Sequence, residues 1–336
     1  MRAVIMNAPR EVEVTTWETP RPAPGEVLVS VGAAGICAGD MYIYQGKNPY
    51  AVYPIIAGHE IAGAVLEVGE SVTGFEPGMP VVVEPFIGCG ACYPCRIGKS
   101  NCCAHLTILG VHKPGGYAEY VVAPAKNVHP VPDGLSLFEA TFAEPVAIAV
   151  QGCRRGQVGQ EYVLILGCGP IGLALIEVAK ARRARVVATD VLESRLETAA
   201  QLGAEVFLTD ENLLSRVMEQ TNGEGAPVVM EATGSVRAME STVDLVAAGG
   251  RIVILGIVPR GVNVAFPGLD ITRKEMTIIG SRASVNCFPE ALRLLASGAI
   301  HYPKIATRFN LWDAPYVFKD LAENPGKVHK GVLVRE

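Results

Sequence analysis

No run of Lys or Arg occurs anywhere in this 336-residue chain, and its formal net charge at pH 7 is -5. Nucleic acids and anionic membrane surfaces need concentrated positive charge, so neither is an expected partner. No uninterrupted apolar stretch approaches the roughly 20 residues that cross a bilayer. The opening Met1-Arg-Ala-Val-Ile-Met6 is too short for the apolar core of a secretory signal, and Asn7-Ala-Pro9 and acidic residues follow it. The chain therefore reads as cytoplasmic, with small molecules as its partners. Internal repeats and low-complexity linkers are also missing.

What remains is a globular composition, 49% hydrophobic and 19% charged, with 36 Gly spread along the chain rather than clustered. At roughly 150 residues per domain, the length suggests two domains. Nine Cys in a cytoplasmic chain do not make a disulfide framework, and five of them crowd between Cys89 and Cys103 at metal-ligand spacing.

Up to about Ala143, short apolar runs are punctuated by Gly and Pro, as in Glu26-Val-Leu-Val-Ser-Val-Gly32, Ile61 to Val68, Pro80 to Glu84 and Tyr117 to Ala123. Period-two runs bounded by turn residues read as strands, and their number predicts a compact, barrel-like β domain. From Leu137 the period suits helical turns, despite Pro145. Strand and helix then alternate: Tyr162 to Leu166, a helix from Gly172 to Ala181, Arg185 to Asp190, a helix from Ser194 to Leu202, and four further strand runs ending at Gly280. Continuously apolar strands with helices between them predict a parallel sheet covered on both faces, a doubly wound α/β fold.

Gly167-Cys-Gly169-Pro170-Ile171-Gly172 directly follows the first of these strands and opens a helix. In that context the first glycine permits the tight turn and the second lets backbone approach a pyrophosphate. The third packs helix on strand, and the helix N-terminus supplies donors to phosphate. Asp190 ends the next strand, where a carboxylate accepts the ribose hydroxyls of NAD and repels the 2′-phosphate of NADP. NAD is the expected cofactor. Arg195, five residues on along a helix, reads as a surface or adenine-side residue.

Two metal sites are legible. Cys89-x2-Cys92-x2-Cys95-x7-Cys103 supplies four thiolates to a closed, structural zinc site, with Cys102 leaving the last ligand ambiguous by one residue. Cys37, His59 and Glu60 supply three ligands of mixed type and leave a fourth position for water or substrate. An open zinc acts as a Lewis acid on a bound hydroxyl, which suits alcohol oxidation beside NAD⁺. Glu144, before Pro145, is a candidate alternating or water-linked ligand.

Taken together, these residues resemble the zinc-dependent medium-chain dehydrogenases, in the branch with sorbitol and threonine dehydrogenases. The similarity runs through Gly35-Ile-Cys-Ala-Gly-Asp40, Gly58-His-Glu60, the Cys lobe, Gly115-Gly-Tyr-Ala-Glu-Tyr120, Glu144-Pro145, Arg154-Arg-Gly156 and the glycine fingerprint. It implies a GroES-like zinc-binding catalytic domain over residues 1–145 and 288–336 and a Rossmann NAD-binding domain over 146–287. It also implies an active site in the cleft between them, the two zinc ligand sets given above, and a homodimer or homotetramer. Asn101-Cys-Cys103, Ile108 to Tyr117 and Gly280-Ser-Arg-Ala283 are similar to bacterial hexonate 5-dehydrogenases, which oxidise L-galactonate or L-gulonate. Arg282, at a strand end where ligands collect, could pair with a substrate carboxylate, or could serve cofactor phosphates or a junction ion pair.

One family feature is missing. Where its members usually carry a Ser or Thr hydroxyl and often a His for a proton relay, this chain has Gly39 and Tyr42. The expectation is that Tyr42, whose phenol can donate and accept, replaces part of the relay. The leading reading is hydride transfer from a secondary alcohol of a polyhydroxylated sugar acid to NAD⁺. Polyol or threonine dehydrogenation is the enzymatic alternative, and an NAD-binding sensor or structural protein is the non-enzymatic one. Metal analysis discriminates: an enzyme with both sites holds two zinc per chain, whereas a single zinc confined to the Cys lobe would favour the non-catalytic reading.

Overall fold

The computed structural model describes residues 1–336, which divide into two compact units. The first comprises Met1–Glu144, Ser284–Gly298 and Pro303–Glu336, and the second Pro145–Ala283 with Ala299–Tyr302. No helix is long and apolar enough to cross a membrane.

A seven-stranded sheet forms the first unit, built around the 11-residue strand Glu26–Ile36. Along one side that strand pairs antiparallel with Glu60–Val68. Its other side is shared: Tyr120–Pro124 covers Glu26 to Ser30, and Gly331–Val334 covers Ala33 to Ile36. The register sets Gly35 opposite Glu60 and Ile36 opposite Gly331. Three chain segments far apart in sequence thus end side by side, at Cys37, at His59 and Glu60, and at Lys330. Val4, Val29, Val31, Ile61, Tyr117 and Phe318 belong to the core beneath the sheet.

In the second unit six parallel strands run in the order Glu205–Leu208, Arg185–Asp190, Tyr162–Leu166, Ala226–Glu231, Val246–Ile254, Thr277–Gly280. This is the doubly wound order, with its switch point between Tyr162–Leu166 and Ala226–Glu231. Val163, Leu164 and Ile165 are fully buried, which explains why that strand is apolar at every position rather than at alternate ones.

Two sequence expectations need correction. The helix after the glycine fingerprint begins at Pro170, not Gly172. Proline suits a first helical position because its ring presets φ and the amide it lacks would have no partner there. The domain boundary also differs: the first unit resumes at Ser284 rather than 288, and Ala299–Tyr302 belongs with the second. Glu177, buried on the helix Pro170–Ala181, accepts the backbone amides of His301 and Tyr302 at 2.6 and 2.8 Å and so holds this segment. Burial raises the Glu177 carboxyl above its ordinary value, opposed by those same amides.

The three fingerprint glycines face different constraints. Gly167 has φ +99°, Gly169 has nothing within 4 Å of an added Cβ, and a Cβ on Gly172 would collide with the Gly167 carbonyl. Gly172→Ala should therefore lower stability by about 1–3 kcal/mol, the usual cost of overpacking, measured by urea unfolding; an unchanged midpoint would contradict the contact.

Candidate metal and dinucleotide sites

Cys37 follows the central strand directly and caps the helix Ala38–Tyr44. His59 immediately precedes and Glu60 opens the neighbouring strand, after Gly58, whose φ of +90° allows the chain to turn there. One ligand atom from each of Cys37, His59 and Glu60 lies within 4.8 Å of the others. The structure thus brings together the three residues picked out by chemical type.

The side chain that organises them is Asp40, which residue-type reasoning did not single out. It is fully buried, and it accepts the amide of Cys37 (2.9 Å), the amide of Gly58 (3.2 Å) and the hydroxyl of Tyr117 (2.8 Å). Its Oδ1 lies 3.4 Å from His59 Nδ1, an electrostatic contact rather than a formed hydrogen bond. With Nδ1 turned to a carboxylate, Nε2 is the ring nitrogen left for a ligand. Burial works to raise the Asp40 carboxyl, but the His59 charge and the hydrogen bonds outweigh it and hold the group below its ordinary value. Tyr117, raised well above its ordinary value by burial and then by Asp40, stays protonated and donates. The sequence signal was available in retrospect: an acidic residue three positions past a helix cap is half of a capping box.

Lys330 is the second residue missed. Buried to 3% exposure, its ammonium donates to Ile36 O at 3.0 Å and to Glu60 Oε1. Glu60 Oε2 is buried without a partner, and it lies where a Cβ on Gly35 would otherwise stand. A buried carboxylate oxygen left unpaired beside a thiol and an imidazole suits a cation. Electrostatics agree: burial disfavours a charge on His59, yet Asp40 and Cys37 raise its pKa well above the ordinary value. Positive charge is favoured at that ring, and a metal on Nε2 would supply it.

Glu144 is buried, and burial with the nearby Glu60 carboxylate pushes it up to about 7, against the charges of His59 and Lys330. It senses the centre electrostatically but is not among the converging ligands. Tyr42 is 55% exposed. It lies on the helix Ala38–Tyr44, five residues past Cys37. At Gly39 an added Cβ would stand 3.6 Å from His59 Cε1 and 3.9 Å from Cys37 Sγ, so the position held by glycine borders both ligands.

Cys89, Cys92, Cys95 and Cys103 converge in the same way. Cys103 is buried and Cys102 exposed, which resolves the one-residue ambiguity. Backbone amides of Cys95 and Ala104 draw the Cys92 thiol down to about 6, while desolvation and neighbouring thiols push Cys95 up to about 12. The sulfurs compete for negative charge, and a bound dication would relieve that competition.

In the second unit Asp190 ends its strand with the carboxylate already engaged. Oδ2 accepts the Cys168 amide inside the glycine loop at 2.9 Å, Oδ1 accepts Leu192 N at 3.0 Å, and Arg195 lies 3.5 Å away. Asp190 therefore shapes the loop whose Gly169 is open to a phosphate. Arg282 is exposed, two residues past Thr277–Gly280, at the C-terminal end of a parallel strand.

Known proteins resemble this chain in sequence and fold. Residues 23–133 match the alcohol dehydrogenase GroES-like domain, and residues 170–297 match the zinc-binding dehydrogenase family. L-Galactonate-5-dehydrogenase of Escherichia coli K12 is 34% identical, over 99% of this chain and 98% of its own. L-Threonine 3-dehydrogenase of Pyrococcus abyssi is 38% identical, over 88% of this chain and 87% of its own. An Escherichia coli CFT073 protein described as a short chain alcohol dehydrogenase, solved with cofactor NADH, superposes with TM-score 0.93 at 33% identity, covering 99% of each chain.

Asp40→Asn sets an amide donor against the groups that donate to Asp40. It should cost about 1–3 kcal/mol of stability and weaken metal binding at Cys37, His59 and Glu60 by about 10- to 100-fold. Thermal unfolding and chelator competition measure the two effects, and a variant equal to wild type in both would remove the organising role.

Proposed function

We propose, for a chain that belongs to the zinc-binding alcohol dehydrogenases with a GroES-like domain, that it oxidises a secondary alcohol of a polyhydroxylated sugar acid, such as L-galactonate or L-gulonate, with NAD⁺ as hydride acceptor. The single observation that carries the reading is the unpartnered Glu60 Oε2 buried beside Cys37 and His59. Zinc held there would lower the pKa of a hydroxyl and so favour its ionisation.

The chain's own residues divide the remaining work. Cys37, His59 and Glu60 hold the metal, Asp40 and Lys330 hold those ligands, and Glu144 is a reserve or water-linked donor. The four Cys of the lobe form a closed structural site. Gly167, Gly169, Pro170, Ile171 and Gly172 present backbone to the dinucleotide pyrophosphate, and Asp190 selects NAD over NADP by its charge. Both Asp190 oxygens retain lone pairs for ribose hydroxyls after accepting their backbone amides. Arg195 lines the adenine side, and Arg282 offers a forked cation to a substrate carboxylate.

Support for a sugar acid comes from the relative that acts on L-galactonate. Threonine oxidation is the second reading, favoured by the 38% identity to a threonine dehydrogenase. Both substrates pair a secondary hydroxyl with a carboxylate, so one anion-recognising residue suits either. NADH formation over a panel of hexonates, hexitols, pentitols and L-threonine separates them. The proposal expects turnover on a hexonate to exceed that on L-threonine or any polyol by tenfold or more in kcat/KM, on the order expected when a site's polar groups lose their substrate partner. Activity on polyols with none on hexonates would sink it.

A further inference from the structure

Glu60 is the one ligand of its set with two chemically equivalent donor atoms. A carboxylate can bind a metal through one oxygen or through both, and the choice changes the coordination number. In an open zinc site that choice matters, because a second oxygen would fill the position substrate needs. The surroundings of Glu60 are asymmetric. Lys330 donates to Oε1, and its position is fixed by a second bond to Ile36 O, next to the ligand Cys37. Oε2 has no protein partner, and the absence of a side chain on Gly35 gives it space. The ammonium is 2% exposed, as is Glu60, so water does not compete for either.

We infer that Lys330 is a positioning residue that keeps Glu60 a one-oxygen ligand: by occupying Oε1 it leaves Oε2 alone for the metal and keeps the fourth coordination position open to substrate. This rests on the reading of Cys37, His59 and Glu60 as metal ligands. Sheet register makes it possible, since Gly331 pairs with Ile36 and Glu60 with Gly35, placing a residue from the end of the chain against the carboxylate. The role differs from a general stabilising ion pair, which would have no consequence for coordination number.

The test uses full-length protein with zinc in the Cys lobe and cobalt(II) at the Cys37, His59 and Glu60 site, because cobalt's visible absorption reports coordination number. Lys330→Met should weaken the intense four-coordinate absorption, as a second carboxylate oxygen enters, and lower kcat/KM on the order of tenfold. The metal should be held no less tightly than in wild type. In a Glu60→Gln background the same Lys330→Met change should leave the spectrum unaltered, since a carboxamide binds only through its single oxygen. A folded Lys330→Met protein with the wild-type spectrum overturns the inference, and so does a spectral change that persists in the Glu60→Gln background. Should Lys330→Met alone fail to fold, the double variant removes both charges. Identity of its spectrum with that of Glu60→Gln supports the inference, and a difference overturns it. Wild type that takes up no cobalt at this site contradicts the metal-centre reading itself, which is a distinguishable result.

Discussion

Asp40 is a carboxylate taken entirely out of water, and the first unit is arranged to make that tolerable. Its donors come from three places: the amide that precedes a helix, the amide of a glycine that only a positive φ allows, and a tyrosine hydroxyl 77 residues away. Each donor is itself tied to the ligand set. The Cys37 amide belongs to a ligand, the Gly58 amide adjoins another, and the Tyr117 hydroxyl oxygen lies 3.0 Å from the carbonyl of Gly35, the residue paired with Glu60. The charge that would be costly if unpaired is what locks the geometry, because a buried anion loses far more when a donor moves away than an exposed one does.

Much of the site was legible from residue type and spacing. Four Cys at short intervals, a His-Glu pair with a distant Cys, and glycines between an apolar strand and a helix each carry a mechanism that other arrangements of the same residues do not. What escaped was the supporting layer. Asp40 stands in a quoted motif, but a carboxylate on a helix start has many ordinary uses. Lys330 looks like any surface lysine, and its burial goes with the pairing of Gly331 and Ile36, which sets it beside Glu60. Register between strands so far apart is set by packing over the whole sheet and leaves no local trace.

The second unit shows how one motif holds distinct demands. Gly167 answers to backbone conformation, Gly172 to the close approach of two chain segments, and Gly169 to neither. A fold without any ligand would still need the first two, and the third alone marks a surface kept bare for a binding partner. Asp190 combines the two kinds of demand, bracing the loop through Cys168 while remaining the acidic end of its strand.

The Lys330 contacts span 294 residues to Ile36 and 270 to Glu60. During synthesis the N-terminal sheet therefore emerges with a carboxylate whose counter-charge does not yet exist. Until Lys330 reaches the sheet, burying that carboxylate carries the cost of an unpaired charge. Burial of the Glu60 carboxylate in its final place is thus coupled to the docking of Gly331–Val334 on Glu26–Ile36.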